Sequence, residues 1–375
     1  MREQGRLRVG VVGVGGIARG QHIPGYLKCS DVELTMFCDS NEAALQDAGR
    51  LYGVSALTTS FEDLVSSDQV DALSVCTSND MHYLVSMAAI AHGKHVLCEK
   101  PLGMNYRQTC EMYAAAQEAG IVAGVGFVHR CTPSSRLAHR LISVGALGEI
   151  YHVVATYSSG GVPGSHFPLV WRRQKDYAGA GVSWDLGAHM IDMTRWWLGQ
   201  EITAVSSRLK TFVKEAPLLS GDGMGLVTTD DASSFLIDFE GGAIGTFVNT
   251  NHFTARGFDQ RIEVYGSNGA LRYDQDRPYE LQAVVGKEMM GLYAVRGIDK
   301  EEPYPWVPVP MDLRDRWSPL SPPRQTLTPD FVAAIRGESD FLPSFYDGMK
   351  TQEVLDALLV SNEQNRWISL PAENN

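Results

Sequence analysis

Apolar and polar positions follow two rhythms along the chain, and the change from one to the other divides it. From Leu7 to Phe127, short apolar runs of strand length (Leu7–Val12, Val32–Cys38, Val70–Cys76, His95–Cys98, Ile121–Phe127) alternate with stretches of helical spacing (Glu42–Tyr52, Phe61–Ser66, His82–His92, Tyr106–Ala119). Strands that read as buried on both faces, each followed by a helix, predict an α/β doubly wound parallel sheet. After a connecting helix from about Ser134 to Val144 the rhythm shortens to two residues. Glu149–Ser158 alternates over strand length, and strand-like runs recur near Ile202–Val213, Ala232–Phe239, Ala243–Asn251, Gln260–Tyr265 and Ala270–Tyr273. No helices separate these last runs, so they predict a large, open, mainly antiparallel sheet. A loop from Ser159 to Gly181 and a helix from Trp184 to Leu198, stopped by Gly199, stand before them. Helices near Pro329–Arg336 and Asp347–Arg366 and a short strand near Trp367–Leu370 close the chain, whereas Arg277–Pro323, rich in Pro and Tyr, shows no period. The expected division is into two domains, 1–127 and 128–375.

Size and composition narrow the classes. A chain of 375 residues is long for one core and fits two. A net charge of −12 argues against a nucleic-acid surface, where a basic stripe is expected. The first residues lack the apolar core of a signal peptide, and no run reaches membrane-spanning length, so the expectation is a soluble, cytoplasmic protein. Six cysteines (Cys29, Cys38, Cys76, Cys98, Cys110, Cys131) are scattered without C-x-x-C spacing and read as reduced structural residues, with neither a disulfide framework nor a zinc site.

The first strand runs into Gly13-Val-Gly15-Gly16-Ile17-Ala18, whose Gly13, Gly15 and Ala18 stand at the G-x-G-x-x-G/A positions of a dinucleotide turn. Gly13 permits the tight turn, Gly15 removes a side chain that would block the pyrophosphate, and Ala18 lets the next helix pack close. Asp39 ends the second strand, where a carboxylate accepts hydrogen bonds from an adenosine ribose. Ser40 and Asn41 follow it with no Arg or Lys for a 2′-phosphate, so charge favours NAD over NADP. Other strand ends carry Thr77-Ser78-Asn79 with His82 in the following helix, Glu99-Lys100-Pro101, and His129-Arg130. The first group can line a cofactor path or cap a helix. Glu99 and Lys100 cannot both enter a core, which places their charges at the rim.

Asp185 and His189 stand four apart in one predicted helix and so share a face. Oxidising a secondary alcohol requires loss of the hydroxyl proton as the carbonyl forms, and an imidazole suits that task. Asp185 can hold its tautomer or bond a neighbouring hydroxyl, and Lys100 can stabilise a developing alkoxide. The same residues also fit plainer roles: a helix cap, a core histidine, a surface ion pair. No third ligand at recognisable spacing accompanies Asp185 and His189, so no metal is expected.

Taken together, these segments resemble the glucose–fructose oxidoreductase and inositol dehydrogenase family (Gfo/Idh/MocA). Gly13–Ala18 resembles its nucleotide motif, Thr77-Ser78-Asn79 with His82 its T-P-N…H segment, Glu99-Lys100-Pro101 its E-K-P signature, Asp185-Leu-Gly-Ala-His189 its D-x-x-x-H pair, and Gly266-Ser-Asn-Gly269 its G-T-x-G turn. Ser78 stands where the family has proline. The resemblance implies an N-terminal Rossmann domain (1–127) and a C-terminal α/β domain (128–375) whose open sheet commonly forms homodimer or homotetramer contacts. It also implies that Lys100, Asp185 and His189 meet over the nicotinamide of NAD to oxidise a sugar, glycoside or cyclic polyol such as an inositol. Expected nucleotide contacts are Gly13, Gly15, Gly16, Ile17, Ala18, Asp39, Ser40, Thr77, Ser78, Asn79, His82, Glu99 and Lys100. Expected substrate contacts are Lys100, Arg130, His166, Trp171, Arg172, Asp185 and His189. Two other readings share the cofactor site: a glycoside hydrolase that uses transient oxidation by bound NAD, and a non-catalytic sugar or nucleotide sensor.

Overall fold

A computed structural model describes residues 5–160, 167–252, 257–286, 306–308, 327–340 and 342–370. The chain forms two compact units, Met1–Val128 with Pro319–Gln352, and His129–Ser318 with Glu353–Asn375. The first boundary falls beside the expected one at 127/128. Further along, Pro319–Gln352 returns to the first unit. The contacts explain that return: Val125 N donates to Pro343 O over 2.8 Å, Gly124 bridges Ser344, and Arg336 reaches Asp31 at 3.3 Å.

Six parallel strands build the first unit: β1 (Leu7–Val12), β2 (Val32–Cys38), β3 (Ala56–Thr58), β4 (Ala72–Val75), β5 (His95–Cys98) and β6 (Ala123–Val125), in the order β3-β2-β1-β4-β5-β6. Val9, Val11, Leu73, Val75, Val96 and Leu97 are fully buried, as runs covered on both faces must be. The covering helices start where side chains cap them. Asn41, Ser60 and Asn105 accept from the backbone N–H of Ala44, Asp63 and Gln108 at the starts of α2 (Glu42–Tyr52), α3 (Phe61–Ser66) and α5 (Tyr106–Ala119). Between α3 and α5 in sequence runs α4 (Asn79–Ala91), where Ser78 makes no side-chain cap bond. Strand order reverses between β1 and β4, the position at which doubly wound sheets open a ligand crevice. The segment after the glycine turn differs from a plain α-helix: Ala18–His22 is a π-helix turn, continued by the short helix α1 (Ile23–Tyr26).

The second unit is organised on a nine-stranded sheet. Its strands are β7 (Ile150–Ser159), β8 (Ile202–Lys210), β11 (Ala232–Phe239), β12 (Ile244–Thr250), β13 (Phe258–Gly266), β14 (Gly269–Asp274), β15 (Glu280–Val285), β16 (Trp306–Pro308) and β17 (Ile368–Ser369), ordered β16-β15-β14-β13-β7-β12-β11-β8-β17. All neighbours are antiparallel except β7 and β12. Period-two alternation buries Val153, Ala155 and Tyr157 on β7, Phe235 and Ile237 on β11, and Gln260, Ile262 and Val264 on β13. The other face leaves Leu236, Ile244 and Val248 exposed. A small hairpin, β9 (Glu215–Pro217) with β10 (Met224–Leu226), occupies a stretch without clear alternation. β15 and β16 arise inside the aperiodic Arg277–Pro323 region, where pairing with β14 supplies the strand that local pattern does not.

The helix expected over Trp184–Leu198 is two: α8 (Val182–Asp185) and α9 (Gly187–Leu198), interrupted at Leu186. The carboxylate of Asp230 fixes the start of α8 by accepting from Gly181 N at 2.7 Å, Ser183 N at 2.8 Å and Ser183 Oγ at 3.0 Å. Within the Ser159–Gly181 stretch lie a 3₁₀ turn, Trp171–Arg173, and the short helix α7 (Lys175–Ala178). The connecting helix α6 spans Pro133–Ser143, and the C-terminal helices are α10 (Thr328–Arg336) and α11 (Phe345–Gln364). No described helix is long and apolar enough to cross a membrane. Among the described residues no three His, Cys, Asp or Glu side chains group to hold a metal. All six cysteines are free, and burial pushes the Cys38 thiol up to about 12, as suits inert structural thiols.

Candidate active site

The turn after β1 has the shape a dinucleotide requires. Gly13 sits at φ 87°, and a Cβ there would lie 2.6 Å from Cys76 O, so both conformation and crowding call for glycine. Gly15 and Gly16 are exposed, and a Cβ on either would meet nothing within 4 Å. The space beside the turn is open where a pyrophosphate would approach. Ile17 is half-buried and Ala18 fully buried. Asp39 closes the turn from the end of β2, its two carboxylate oxygens accepting from Val14 N and Asn41 N at 2.8 Å each, while Ser40 beside it is exposed. Arg19, the cation nearest in sequence to the turn, is committed to Val14 O, Ala44 O and Asp47. These residues fit NAD.

The end of β5 departs from the rim position expected for Glu99. Only 7 % exposed, Glu99 accepts from His22 Nε2 at 2.8 Å, and its other oxygen lies 3.3 Å from Lys100 N. Burial alone would raise this carboxyl, but the His22 hydrogen bond and charge, with Lys100 and His82 beside it, hold it below the ordinary value. A paired charge tolerates burial that a lone one would not. Ser74 Oγ stands 2.9 Å from His22 Nδ1 and 2.8 Å from the Tyr26 hydroxyl, extending the network to β4 and α1. A Cβ at residue 126 would fall 2.6 Å from Glu99 Oε1, so Gly126 makes room for the carboxylate. Lys100, half-buried, follows at the strand end, and its bond to Pro101 is cis.

His82 is fully buried, and burial lowers its pKa. Its Nδ1–H donates to Pro101 O at 2.8 Å. Through that bond it supports the Glu99–Pro101 segment. Thr77 and Ser78 are half-buried at the end of β4, and Asn79 is buried at the first turn of α4.

In the second unit, His189 lies in the first turns of α9, only 6 % exposed. Its ring stacks on that of His129, with centroids 4.1 Å apart and planes tilted by 36°. Tyr157 of β7 stands 5.5 Å from His129 and 6.3 Å from His189. His129 Nδ1–H donates to Gln260 Oε1 of β13 at 2.6 Å, and Gln260 is the register partner of Tyr157. Asp185, at the end of α8, is half-buried. Its charge acts on Tyr157, whose hydroxyl is raised first by burial and then by that carboxylate. Asp185 and His189 therefore belong to successive helices rather than one face of a single helix.

Other expected substrate residues are placed differently. Arg130 is buried and gives a bidentate pair to Asp192, Nε to Oδ2 at 2.8 Å and Nη2 to Oδ1 at 2.5 Å, with its guanidinium 5.3 Å from the Trp196 ring. That pair engages Nε and Nη2 of the guanidinium. Trp171 and Arg172 stack on each other at 4.3 Å, Arg172 being exposed. Arg173, which follows them, is buried and donates to Phe167 O at 2.8 Å. His166 lies outside the described residues.

Sequence reasoning missed Tyr157, Gln260 and His22, and it placed His129 at a strand end without its partners. Gln260 carried a signal, because a glutamine on the inward-facing rhythm of Ile262 and Val264 must find a buried partner. His22 carried none of its own. Its role follows from Glu99, which cannot be buried without a donor.

Comparison with known proteins agrees with this architecture. Residues 7–127 match the oxidoreductase family with an NAD-binding Rossmann fold, and residues 135–272 match the GFO/IDH/MocA C-terminal domain. The chain is 28% identical over 348 residues to levoglucosan dehydrogenase of Pseudarthrobacter phenanthrenivorans, covering 90% of this chain and 89% of that protein. Among solved structures, an oxidoreductase domain protein from Kribbella flavida is 33% identical, with a TM-score of 0.85 over 98% of this chain and 100% of that one. Levoglucosan dehydrogenase in complex with NADH and levoglucosan is 27% identical, with a TM-score of 0.84 over 98% of this chain and 100% of that one.

Proposed function

This chain belongs to the GFO/IDH/MocA family of NAD-binding oxidoreductases, and from that premise we propose that it transfers hydride between NAD and a secondary hydroxyl of a sugar, a glycoside or an inositol. The observation that carries the reading is the setting of His189, an imidazole buried beside Tyr157 and His129 with Asp185 at the preceding helix end. Bound NAD would supply the electrophilic carbon that accepts the C–H electron pair. His189 takes the hydroxyl proton as the carbonyl forms. The Lys100 ammonium stabilises the negative charge gathering on that oxygen, and Asp185 orients the imidazole or a neighbouring hydroxyl. Asp39 accepts from the ribose hydroxyls, and its charge disfavours the 2′-phosphate of NADP.

The relatives named above support a carbohydrate substrate, and six free cysteines suit a reducing, cytoplasmic setting. The open sheet face bearing Leu236, Ile244 and Val248 suits pairing with a second copy, and we assign homo-oligomer formation to it. The test is a panel of pyranoses, anhydro sugars, glycosides and inositols incubated with NAD or NADP, followed by the absorbance of reduced nicotinamide. Stoichiometric NADH with an oxidised sugar as product is expected. Free sugar released from a glycoside without net NADH would establish NAD-assisted cleavage instead, and binding without any turnover would leave a sensor.

A further inference from the structure

The proton transfer just described gives no role to the direct ring contact between His129 and His189. The two buried rings have centroids 4.1 Å apart, and His129 is anchored from the far side by the 2.6 Å hydrogen bond to Gln260, which is fully buried. Tyr157 stands edge-on to His129, so the pair is enclosed by β7, β13 and α9. We propose that His129 is a positioning residue for His189: held by Gln260, it fixes the plane of the His189 ring and restricts the two imidazoles to a single shared positive charge.

The argument is electrostatic and steric. Two imidazolium rings in contact at a site with little water repel strongly, so protons are taken up by the pair and not by either ring alone. Gln260 accepts from Nδ1–H of His129, which fixes the neutral tautomer and leaves its proton affinity to Nε2. Among the described residues, the titratable and charged groups near the rings are Tyr157 of β7, Asp185 of α8 and Tyr273 of β14, the last two acting on Tyr157, and the Arg130–Asp192 pair next to His129 in sequence; in the proposed reaction the Lys100 ammonium also meets the oxygen that His189 deprotonates. That ion pair is already balanced, and the imidazole in ring contact with His189 penalises a second proton on the pair directly. This inference rests on the reading of His189 as proton acceptor. A role through His189 predicts an effect on turnover and not on substrate affinity.

The test uses the full-length protein with histidine Cε1–H resonances followed by NMR against pH, assigned with His129→Phe and His189→Asn. In the unaltered protein the two rings should shift together in two separated steps, and in His129→Phe the His189 signal should collapse to one. With the substrate identified by the panel above, His129→Phe should lower kcat about tenfold with KM within about twofold. Gln260→Glu, close in shape, should hold a proton on His129 and lower kcat in the same way, and it carries the test should His129→Phe fail to fold. Independent single-step titration of His189 in the unaltered protein, or parent kcat in both variants, overturns the proposal. Turnover surviving in His189→Asn would instead overturn the proton-acceptor reading, while the titration still decides whether the rings are coupled.

Discussion

The glycine turn of the first unit and the histidine pair of the second are built in opposite ways. In the turn, Gly13 to Ala18 are consecutive, and the carboxylate that closes it, Asp39, lies 25 residues from the amide it accepts from. Around His189 the partners are remote: His129 and Gln260 are 131 residues apart, and Arg130 and Asp192 are 62 apart. Backbone conformation and missing Cβ atoms shape the first region, whereas the second exists only once sheet and helices have packed. Substitutions at Gly15, Gly16 or Asp39 should therefore change nucleotide affinity with little loss of stability, and substitutions near His189 should move activity and stability together.

The largest expected effect tests whether chemistry is separable from this difference. Lys100→Ala and His189→Asn should each lower kcat about 10³-fold, within the range for removal of a general acid–base or charge-stabilising group. Lys100→Ala should leave the thermal midpoint close to the parent, whereas His189→Asn should lower it, because the imidazole also packs on His129. Steady-state kinetics and calorimetry on the same preparations check both. Full turnover in Lys100→Ala would remove the role assigned to it.

Asp192→Ala comes next. It strands the buried Arg130 guanidinium, and breaking a buried pair on one side costs about 3–5 kcal/mol. Denaturant unfolding should show that loss, and kcat should fall with it, because the Asp192 side chain leaves α9 one turn beyond His189. A stable, fully active Asp192→Ala would break the coupling expected of this region. The matching change in the turn is Asp39→Asn. It removes charge but keeps one acceptor, so stability should stay near the parent while the preference for NAD over NADP falls about tenfold, the worth of one charged hydrogen bond. Unchanged selectivity would show that something other than Asp39 selects the nucleotide.

The same contrast governs how much was legible in the sequence. The parallel sheet, the glycine turn and Asp39 could be read because each depends on neighbours within a few dozen residues, and the alternation of Glu149–Ser158 announced β7 in the same way. β15 and β16 could not, because their strand character is imposed by pairing with β14 and with each other. The return of Pro319–Gln352 to the first unit had no local sign, since a helix such as Thr328–Arg336 reads alike wherever it packs. The pairing of Arg130 had no local sign either, because Asp192 lies 62 residues away. Glu99 reads as a rim residue for want of His22, which lies 77 residues away.

That last pair provides the smallest effect and the sharpest form of the comparison, because His22–Glu99 is a long-range buried pair in the same unit as the locally built glycine turn. Glu99 is held below its ordinary value of 4.5 in the folded protein, with burial opposing and the His22 hydrogen bond and charge prevailing. A depressed carboxyl contributes stability that is complete above the unfolded value and lost as pH falls from there through the folded value. Glu99→Gln removes that contribution. Between neutral pH and about 4.5 the variant should run parallel to the parent at lower stability, and below it the parent's decline should be steeper by at most about 1.4 kcal/mol per pH unit, one proton's worth. Urea unfolding at a series of pH values measures both limbs. Should the two proteins lose stability with the same slope below that point, the charge on Glu99 is not what the fold protects. Sequence distance alone would then fail to predict where this chain couples its electrostatics to its stability.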